Sequence, residues 1–333
     1  MKKRRKEPET LREHCRHIFG DEPPVLCVWE TEFDYADAEL KALAAKEWQQ
    51  ISEWDLSAYY VLNLVYNEPM QIELFRYLFP LCLAQWHETV LAGGYGDHFE
   101  ESLMKALCRP YLWQEMMNAS QRQQVRQFLL DTALQRMDNE RGFNNVLCWL
   151  AVFNTLGGAA PLIRSLWSRW WALDTPGKAV CAIQYAAHLI YPIEANPLWS
   201  QEWIGWGHPL GHKDGWSSDN RAFLRQMLTP EMIVAGVQAA AEILRGEPEG
   251  AMAARIAQDA YEAMDILTIQ IEDLLRDLSC DESGQVMRWS NVPSPASSVL
   301  SGLLLVVGNV REYVAPGAEL PGSSPDRAVN PPL

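Results

Sequence analysis

Two histidines and a carboxylate, His208, His212 and Asp214, lie within seven positions of one segment. Imidazole and carboxylate groups are common zinc ligands, and a His-x-x-x-His pair suits a metal when a helix stacks both rings on one face. Pro209 and Gly211 stand between the histidines and argue against that helix. The spacing therefore leaves two interpretations, a metal-dependent site or a hydrogen-bonded surface loop.

Other catalytic patterns are missing from the sequence. His87 and Glu88 begin like a zinc-protease motif, but Leu91 stands where the second histidine belongs. The glycine-rich run 93–96 lacks the Gly-Lys-Ser/Thr ending of a phosphate-binding loop. No Gly-x-Ser-x-Gly elbow occurs, and the seven cysteines include no Cys-x-x-Cys pair, so they are interpreted as reduced thiols. We expect no cofactor.

A late segment, residues 249–278, has the clearest helical period in the chain. Its apolar residues form one stripe at 100° per residue, which consists of Ile256, Ala260, Leu267, Ile271, Leu274 and Leu278. Most of its acids lie away from that stripe, among them Asp259, Glu262, Asp265, Glu272 and Asp273. Carboxylates on one solvent face do not converge as acid/base catalysis requires. They indicate either a solvated face or a docking face for a basic partner.

The elements that would position these residues are predicted to be mainly α-helical. Apolar residues recur at three- and four-residue steps through most of the chain, and a helix that begins near Gln71 should bend or end at Pro80. A long irregular stretch rich in Trp, Gly and Pro precedes Asn220 and contains Trp203, Trp206 and Trp216. Long loops are often functional, and tryptophans are frequent interface anchors, although core packing is the alternative for each ring.

The chain divides by composition into four parts. Residues 1–24 are predicted to be a basic flexible arm, 25–140 an N-terminal helical domain, 141–314 a Trp-rich C-terminal helical domain, and 315–333 a disordered Pro/Gly/Ser tail. The apolar, β-branched segment 25–29 is predicted to be one short edge strand. The fold class is thus a multi-helix globular protein with at most one strand.

Charge limits the classes of partner. The net charge is -15, and because residues 1–17 carry an excess of four positive charges, the remainder holds -19. A body of this charge repels phosphate backbones, which argues against nucleic-acid binding by the folded part, and it attracts basic proteins. Simple solubility is the alternative explanation of the charge.

Neither a secretion signal nor a membrane span is predicted. The basic start is followed by Glu7, Pro8 and Glu9, where a signal peptide requires an apolar stretch. The most apolar runs, 146–153 and 299–307, are well short of the roughly 20 residues that cross a bilayer as a helix. We therefore expect a cytoplasmic protein without membrane contact.

Residues 34–134 resemble an uncharacterised bacterial helical domain family. Members share a Trp-x-x-Ile segment, a Phe-Arg-Tyr-Leu-x-Pro helix and a capped helix with Gln-x-x-x-Val-x-x-Phe-Leu. The matching residues are Trp48, Ile51, Leu56, Phe75, Arg76, Tyr77, Leu78, Pro80, Ser120, Gln121, Val125, Phe128 and Leu129. The resemblance implies helical packing rather than a chemistry, because Arg76 is the one charged residue among them.

Acidic helical proteins of this class are also similar to immunity proteins of bacterial toxin systems, which cover a toxin's active surface. The resemblance implies a binding protein that occludes a basic toxin domain, with Trp203, Trp206 and Trp216 as anchors beside the acidic face. The alternative is an enzyme with a pocket beneath the 199–216 loop, built on His208, His212 and Asp214. A third hypothesis, an adaptor whose arm touches nucleic acid, rests on residues 2–6 alone.

Overall fold

The computed structural model of the chain describes residues 9–28, 37–59, 70–93, 103, 106–143, 146–159, 161–191, 196–198 and 216–278. Over these residues it contains thirteen α-helices, one 3₁₀ turn and no β-strand. The predicted mainly α fold class is confirmed. All of the described residues belong to one compact unit, residues 1–285.

The helices of the first half are α1 (Leu11–Phe19), α2 (Asp37–Ala44), the 3₁₀ turn Trp48–Gln50, α3 (Glu53–Tyr59), α4 (Ile72–Ala92), α5 (Pro110–Gln114) and α6 (Ala119–Asp138). Those of the second half are α7 (Val146–Ala159), α8 (Ile163–Trp170), α9 (Pro176–Ile190), α10 (Ser218–Met227), α11 (Pro230–Ile243), α12 (Gly250–Glu262) and α13 (Met264–Asp277). α4 continues through Pro80, where the sequence predicted a bend or an end.

The start of the chain differs from the prediction of a flexible arm over residues 1–24. Residues 11–19 form α1, which a Thr10/Glu13 capping box begins and Gly20, with φ of +95°, ends. Its apolar residues Leu11, Cys15, Ile18 and Phe19 follow a helical period and pack on α4. Residues 11–19 form a helix because this apolar stripe, which alternates with the basic residues, is buried against α4. Residues 1–8 lie outside the described part.

The predicted edge strand near 25–29 is wrong over residues 25–28, which are irregular; residue 29 lies outside the described residues. A lone strand has no neighbour to share a hydrogen-bond ladder, so its backbone groups need other partners. Here the Val25 amide donates to the carbonyl of Ala44 at 2.8 Å, and the side-chain amide of Gln71 donates to the carbonyl of Cys27 at 2.7 Å.

Helix α9 lies at the centre of the second half. Every residue from Gly177 to Ile190 is buried, and α9 contacts α6, α7, α11, α12 and α13. Thr175 caps its start and Pro176 occupies the first turn. A Cβ at Gly177 would lie 2.3 Å from the carbonyl oxygens of Met137 and Asp138, so glycine is needed where α9 begins against the end of α6.

Aromatic rings fill the core between α7, α8 and α9. Trp149 and Trp170 meet edge to face with ring centroids 5.0 Å apart, and Trp167 lies 5.3 Å from Trp170. Phe153 and Tyr185 complete the cluster at 6.0 Å from each other. For these tryptophans the core interpretation is confirmed.

The predicted boundary near residue 140 falls between α6 and α7. Helices on its two sides pack together, since α6 contacts α7, α8 and α9, and α4 contacts α7. The buried apolar residues of both halves form one hydrophobic core. The two predicted domains therefore share one interior.

Trp216 closes this core at a glycine of α7. A Cβ on Gly157 would fall 2.1 Å from the Trp216 ring, far inside van der Waals contact. We expect Gly157→Ala to destabilise the fold by about 1–3 kcal/mol through overpacking, although alanine is the better helix former by about 1 kcal/mol. Urea unfolding followed by circular dichroism measures the change.

A double-mutant cycle with Trp216→Leu isolates the clash. Because leucine leaves room beside residue 157, Gly157→Ala should cost much less free energy of unfolding in the Trp216→Leu background. Strict additivity of the two substitutions would show that Gly157 and Trp216 are not in the contact described above.

Candidate functional site

The predicted acidic helix over residues 249–278 is two consecutive helices, α12 and α13. The break is at Ala263, with φ of -102° and ψ of 30°, and the amide of Ala263 donates to the carbonyl of Asp259 at 2.9 Å. The predicted apolar stripe continues across this break and is buried throughout: Ile256, Ala260, Leu267, Ile271, Leu274 and Leu278. It packs α12 and α13 onto α9, which confirms the predicted core side of this segment.

Two of the five predicted partner-binding acids are engaged within the protein. Asp259 is half-buried, accepts a hydrogen bond from the hydroxyl of Tyr191 and lies 3.7 Å from the guanidinium of Arg255. Burial and this carboxylate raise the pKa of Tyr191. Asp273 is also half-buried and pairs with Arg276 at 2.6 Å. These contacts leave Asp259 and Asp273 less available to a partner.

The other three acids, Glu262, Asp265 and Glu272, are exposed. Glu262 accepts a hydrogen bond from the side-chain amide of Gln258 at 2.5 Å. Within the described ranges no lysine or arginine forms an ion pair with any of the three. Their charges are consequently not neutralised by described neighbours, and they are the predicted site residues that remain open to a partner.

The segment that contains these residues is strongly acidic. Residues 229–278, which include α11, α12 and α13, contain ten carboxylates against three arginines and no lysine or histidine. This excess of seven negative charges is one of two acidic concentrations in the chain, since residues 21–55 contain ten carboxylates against two lysines. A surface of one sign raises the association rate of an oppositely charged protein.

Exposed apolar side chains accompany the acids. The exposed large hydrophobic residues of α12 and α13 are Tyr261, Ile269 and Ile266, with exposed fractions of 61%, 47% and 45%. They were missed at the level of the sequence because the stripe that faces the core dominates the helical period of this segment. Their signal was nevertheless present, since at 100° per residue Ile269 lies nearly opposite the mean direction of Leu267, Ile271 and Leu274, and Ile266 lies about 100° to one side of it.

Trp216 is a core residue and cannot serve as the predicted anchor for a partner. Its side chain is only 6% exposed and its ring lies 5.3 Å from that of Phe153. Its backbone amide donates to the carbonyl of Leu278 at 3.4 Å, at the end of α13. Trp216 therefore lies beside the end of α13, a proximity that the separation of 62 positions in sequence did not reveal.

The remaining predicted site residues lie outside the described part of the chain. They are Trp203, Trp206, His208, His212 and Asp214. Their roles as anchors or as metal ligands stay predictions. Among the residues that are described, no group of three or more His, Cys, Asp or Glu side chains could hold a metal ion.

A buried polar network was missed by sequence reasoning. Arg136 and Glu140 pair at 2.7 Å, and both are almost fully buried, at 6% and 1% exposed. Gln184 of α9 donates to Glu140 at 3.2 Å and to the carbonyl of Gly142 at 3.2 Å, and it accepts from the indole of Trp149 at 2.5 Å. The i,i+4 charge pair and one glutamine in an apolar helix were its sequence signals.

This network holds elements together, and its members Arg136, Glu140 and Gln184 are almost fully buried. Burial raises the pKa of the Glu140 carboxyl, and the Arg136 guanidinium acts in the opposite direction by stabilising the ionised form. The amide of Gly142 donates to Glu249, the residue before α12, at 2.6 Å. Through Gln184, Gly142 and Glu249 the end of α6 is tied to α9 and to the start of the acidic helices.

Comparison with known proteins found no matching family model, no matching curated protein and no matching solved structure. No helix in the described part of the chain is long and apolar enough to cross a membrane. We take as the candidate site the side of α12 and α13 that carries Glu262, Asp265, Ile266, Ile269 and Glu272, all of which are exposed.

The buried pair generates a stability prediction. Glu140→Gln should lower the free energy of unfolding by about 3–5 kcal/mol, because it leaves the Arg136 guanidinium buried without a counter-charge. The double variant Arg136→Met/Glu140→Gln removes both charges and keeps an acceptor for Gln184, so it should recover most of that loss. Urea unfolding of the three proteins measures both effects.

Equal stability of wild type and Glu140→Gln would contradict a buried ion pair. A double variant as unstable as Glu140→Gln would show that the loss comes from packing or from the Gln184 hydrogen bond rather than from an uncompensated charge.

Proposed function

We propose that this chain is a cytoplasmic bacterial immunity-type protein that binds a basic toxin domain and neutralises it by occlusion. The carrying observation is the excess of seven negative charges in residues 229–278, with exposed, unneutralised carboxylates at Glu262, Asp265 and Glu272. A surface of this sign favours a partner rich in lysine and arginine.

Rigidity of the scaffold supports binding. The core stripe and the Glu249 contact hold α12 and α13 on α9, so the carboxylates are presented from an ordered helix pair rather than from a mobile loop. A preorganised surface loses less conformational entropy on association. Occlusion also needs no catalytic residue, which agrees with a sequence that carries no complete catalytic motif.

The direct test has two steps. The tagged chain is purified from its native host, and co-purifying proteins are identified by mass spectrometry. Each stoichiometric basic partner is then expressed alone and together with the chain in a neutral bacterial strain. We expect growth arrest by the partner alone and normal growth with both; absence of a stoichiometric basic partner, or a partner that is harmless alone, would contradict the proposal.

Charge reversal tests whether the proposed surface is responsible. Glu262→Lys/Asp265→Lys/Glu272→Lys should weaken the partner's affinity by at least about tenfold, measured by calorimetry, because three attractive contacts become repulsive. A matched control is Glu53→Lys/Glu73→Lys/Glu115→Lys, which reverses three exposed acids elsewhere and changes the net charge equally. Equal losses in both variants would indicate an effect of total charge instead of a defined surface.

A further inference from the structure

Ile269 occupies the centre of the solvent-facing side of α13. The buried residues Leu267, Ile271 and Leu274 define the core side, and at 100° per residue Ile269 lies nearly opposite their mean direction. Its side chain is 47% exposed and that of Ile266, one turn earlier, is 45% exposed. Two β-branched aliphatic side chains on the outside of a helix have a hydration cost that burial against a partner would remove.

Acidic residues surround Ile269. Its neighbours on the helix surface, three and four positions away, are Asp265, Ile266, Glu272 and Asp273. An apolar centre within a charged rim is the usual anatomy of a protein interface. Here the rim has predominantly one sign, with Arg276 paired to Asp273.

We propose that this side of α13 docks a basic amphipathic helix of the partner protein, with Ile269 and Ile266 against its apolar stripe and lysine or arginine residues against Asp265 and Glu272. The inference deepens the proposed function, on which it rests, by naming the contacting side and the kind of element that it accepts. Two helices can pack in this way through ridges of residues spaced three and four apart.

Charge selects this occupant over a second copy of the chain. A two-fold dimer through α13 would place the same acidic rim on both sides of the interface. Asp265 and Glu272, which have no described counter-ion, would then face their own copies across a partly desolvated contact. A basic amphipathic helix removes this repulsion, because its lysine or arginine residues attract Asp265 and Glu272 while its apolar residues cover Ile266 and Ile269.

The test uses the full chain and three synthetic 18-residue peptides. The first has leucines at i, i+3, i+4 and i+7 with lysines elsewhere, the second has serine in place of leucine, and the third has glutamate in place of lysine. Affinities are measured by fluorescence anisotropy for wild type, Ile269→Ser and Ile243→Ser. Ile243 is a matched control because it is an isoleucine, 39% exposed, on α11.

We expect the lysine/leucine peptide to bind wild type and the Ile243→Ser variant equally, and to bind Ile269→Ser at least about tenfold more weakly. The lysine/serine peptide should bind weakly and equally to all three proteins, and the glutamate peptide should not bind. Equal losses in the two isoleucine variants, or no preference for leucine over serine, would overturn the proposal.

If the lysine/leucine peptide does not bind wild type, the proposal is also overturned, because the outer side of α13 is then not open to a basic helix. Sedimentation equilibrium identifies one such case, a dimer of wild type that Ile269→Ser dissociates. The proposed function fails separately: Ile269-dependent peptide binding without any toxic partner in the host would remove toxin neutralisation and leave the docking surface. Toxin neutralisation that is unaffected by Ile269→Ser would keep the proposed function and remove the docking surface on α13.

Discussion

Helix α9 is buried at every residue from Gly177 to Ile190, and the helices around it are arranged to enclose it. A helix that is enclosed on every side needs apolar residues around its whole circumference, and each polar side chain on it must find a partner inside the protein. Gln184 does so through Trp149, Glu140 and the carbonyl of Gly142, whereas the ammonium group of the buried Lys178 reaches the exposed carboxylate of Asp174 at 2.6 Å. These contacts fix where α6 ends and where α7 runs.

Contacts with α9 and with the polar network determine where α12 and α13 lie. α12 and α13 pack their apolar stripe on α9. Glu249, which precedes α12, accepts a hydrogen bond from the backbone amide of Gly142, whose carbonyl accepts one from Gln184 of α9. The apolar stripe and most of the acids lie on different sides of the same two helices. Burial of the stripe against α9 therefore leaves Glu262, Asp265 and Glu272 exposed to solvent. A charged surface on a well-packed support can recognise a partner with little rearrangement, which is the physical basis of the function proposed above.

The sequence was most informative where periodicity alone determines the outcome. The stripe from Ile256 to Leu278 and the helical fold class followed from spacing, because a one-sided apolar pattern allows few arrangements. It was less informative where a strong local signal hid a weaker one. In α1 the many basic residues made the helical period of the apolar residues hard to see. Trp216 follows a segment rich in Gly and Pro, so its packing beside Gly157 was not predicted.

Contacts between distant positions could not be predicted at all. The partners of Gln184 lie 35 to 44 residues away, and Trp216 meets Leu278 across an interval of 62 positions, so only the folded chain brings them together. Ile266 and Ile269 form an intermediate case. Their outward direction follows from the helical wheel once the core side is known, but their exposure depends on what else packs there.

Binding of a basic protein through the outer side of α12 and α13 is a proposal that chemical cross-linking can test. Zero-length carbodiimide coupling in native-host cells, followed by mass spectrometry of the full chain, tests it most directly, because the reagent joins carboxylates to lysine amines only where they touch. The account predicts cross-links from Glu262, Asp265 or Glu272 to lysines of one partner. Cross-links confined to carboxylates elsewhere, such as Glu53, Glu73 or Glu115, would contradict it.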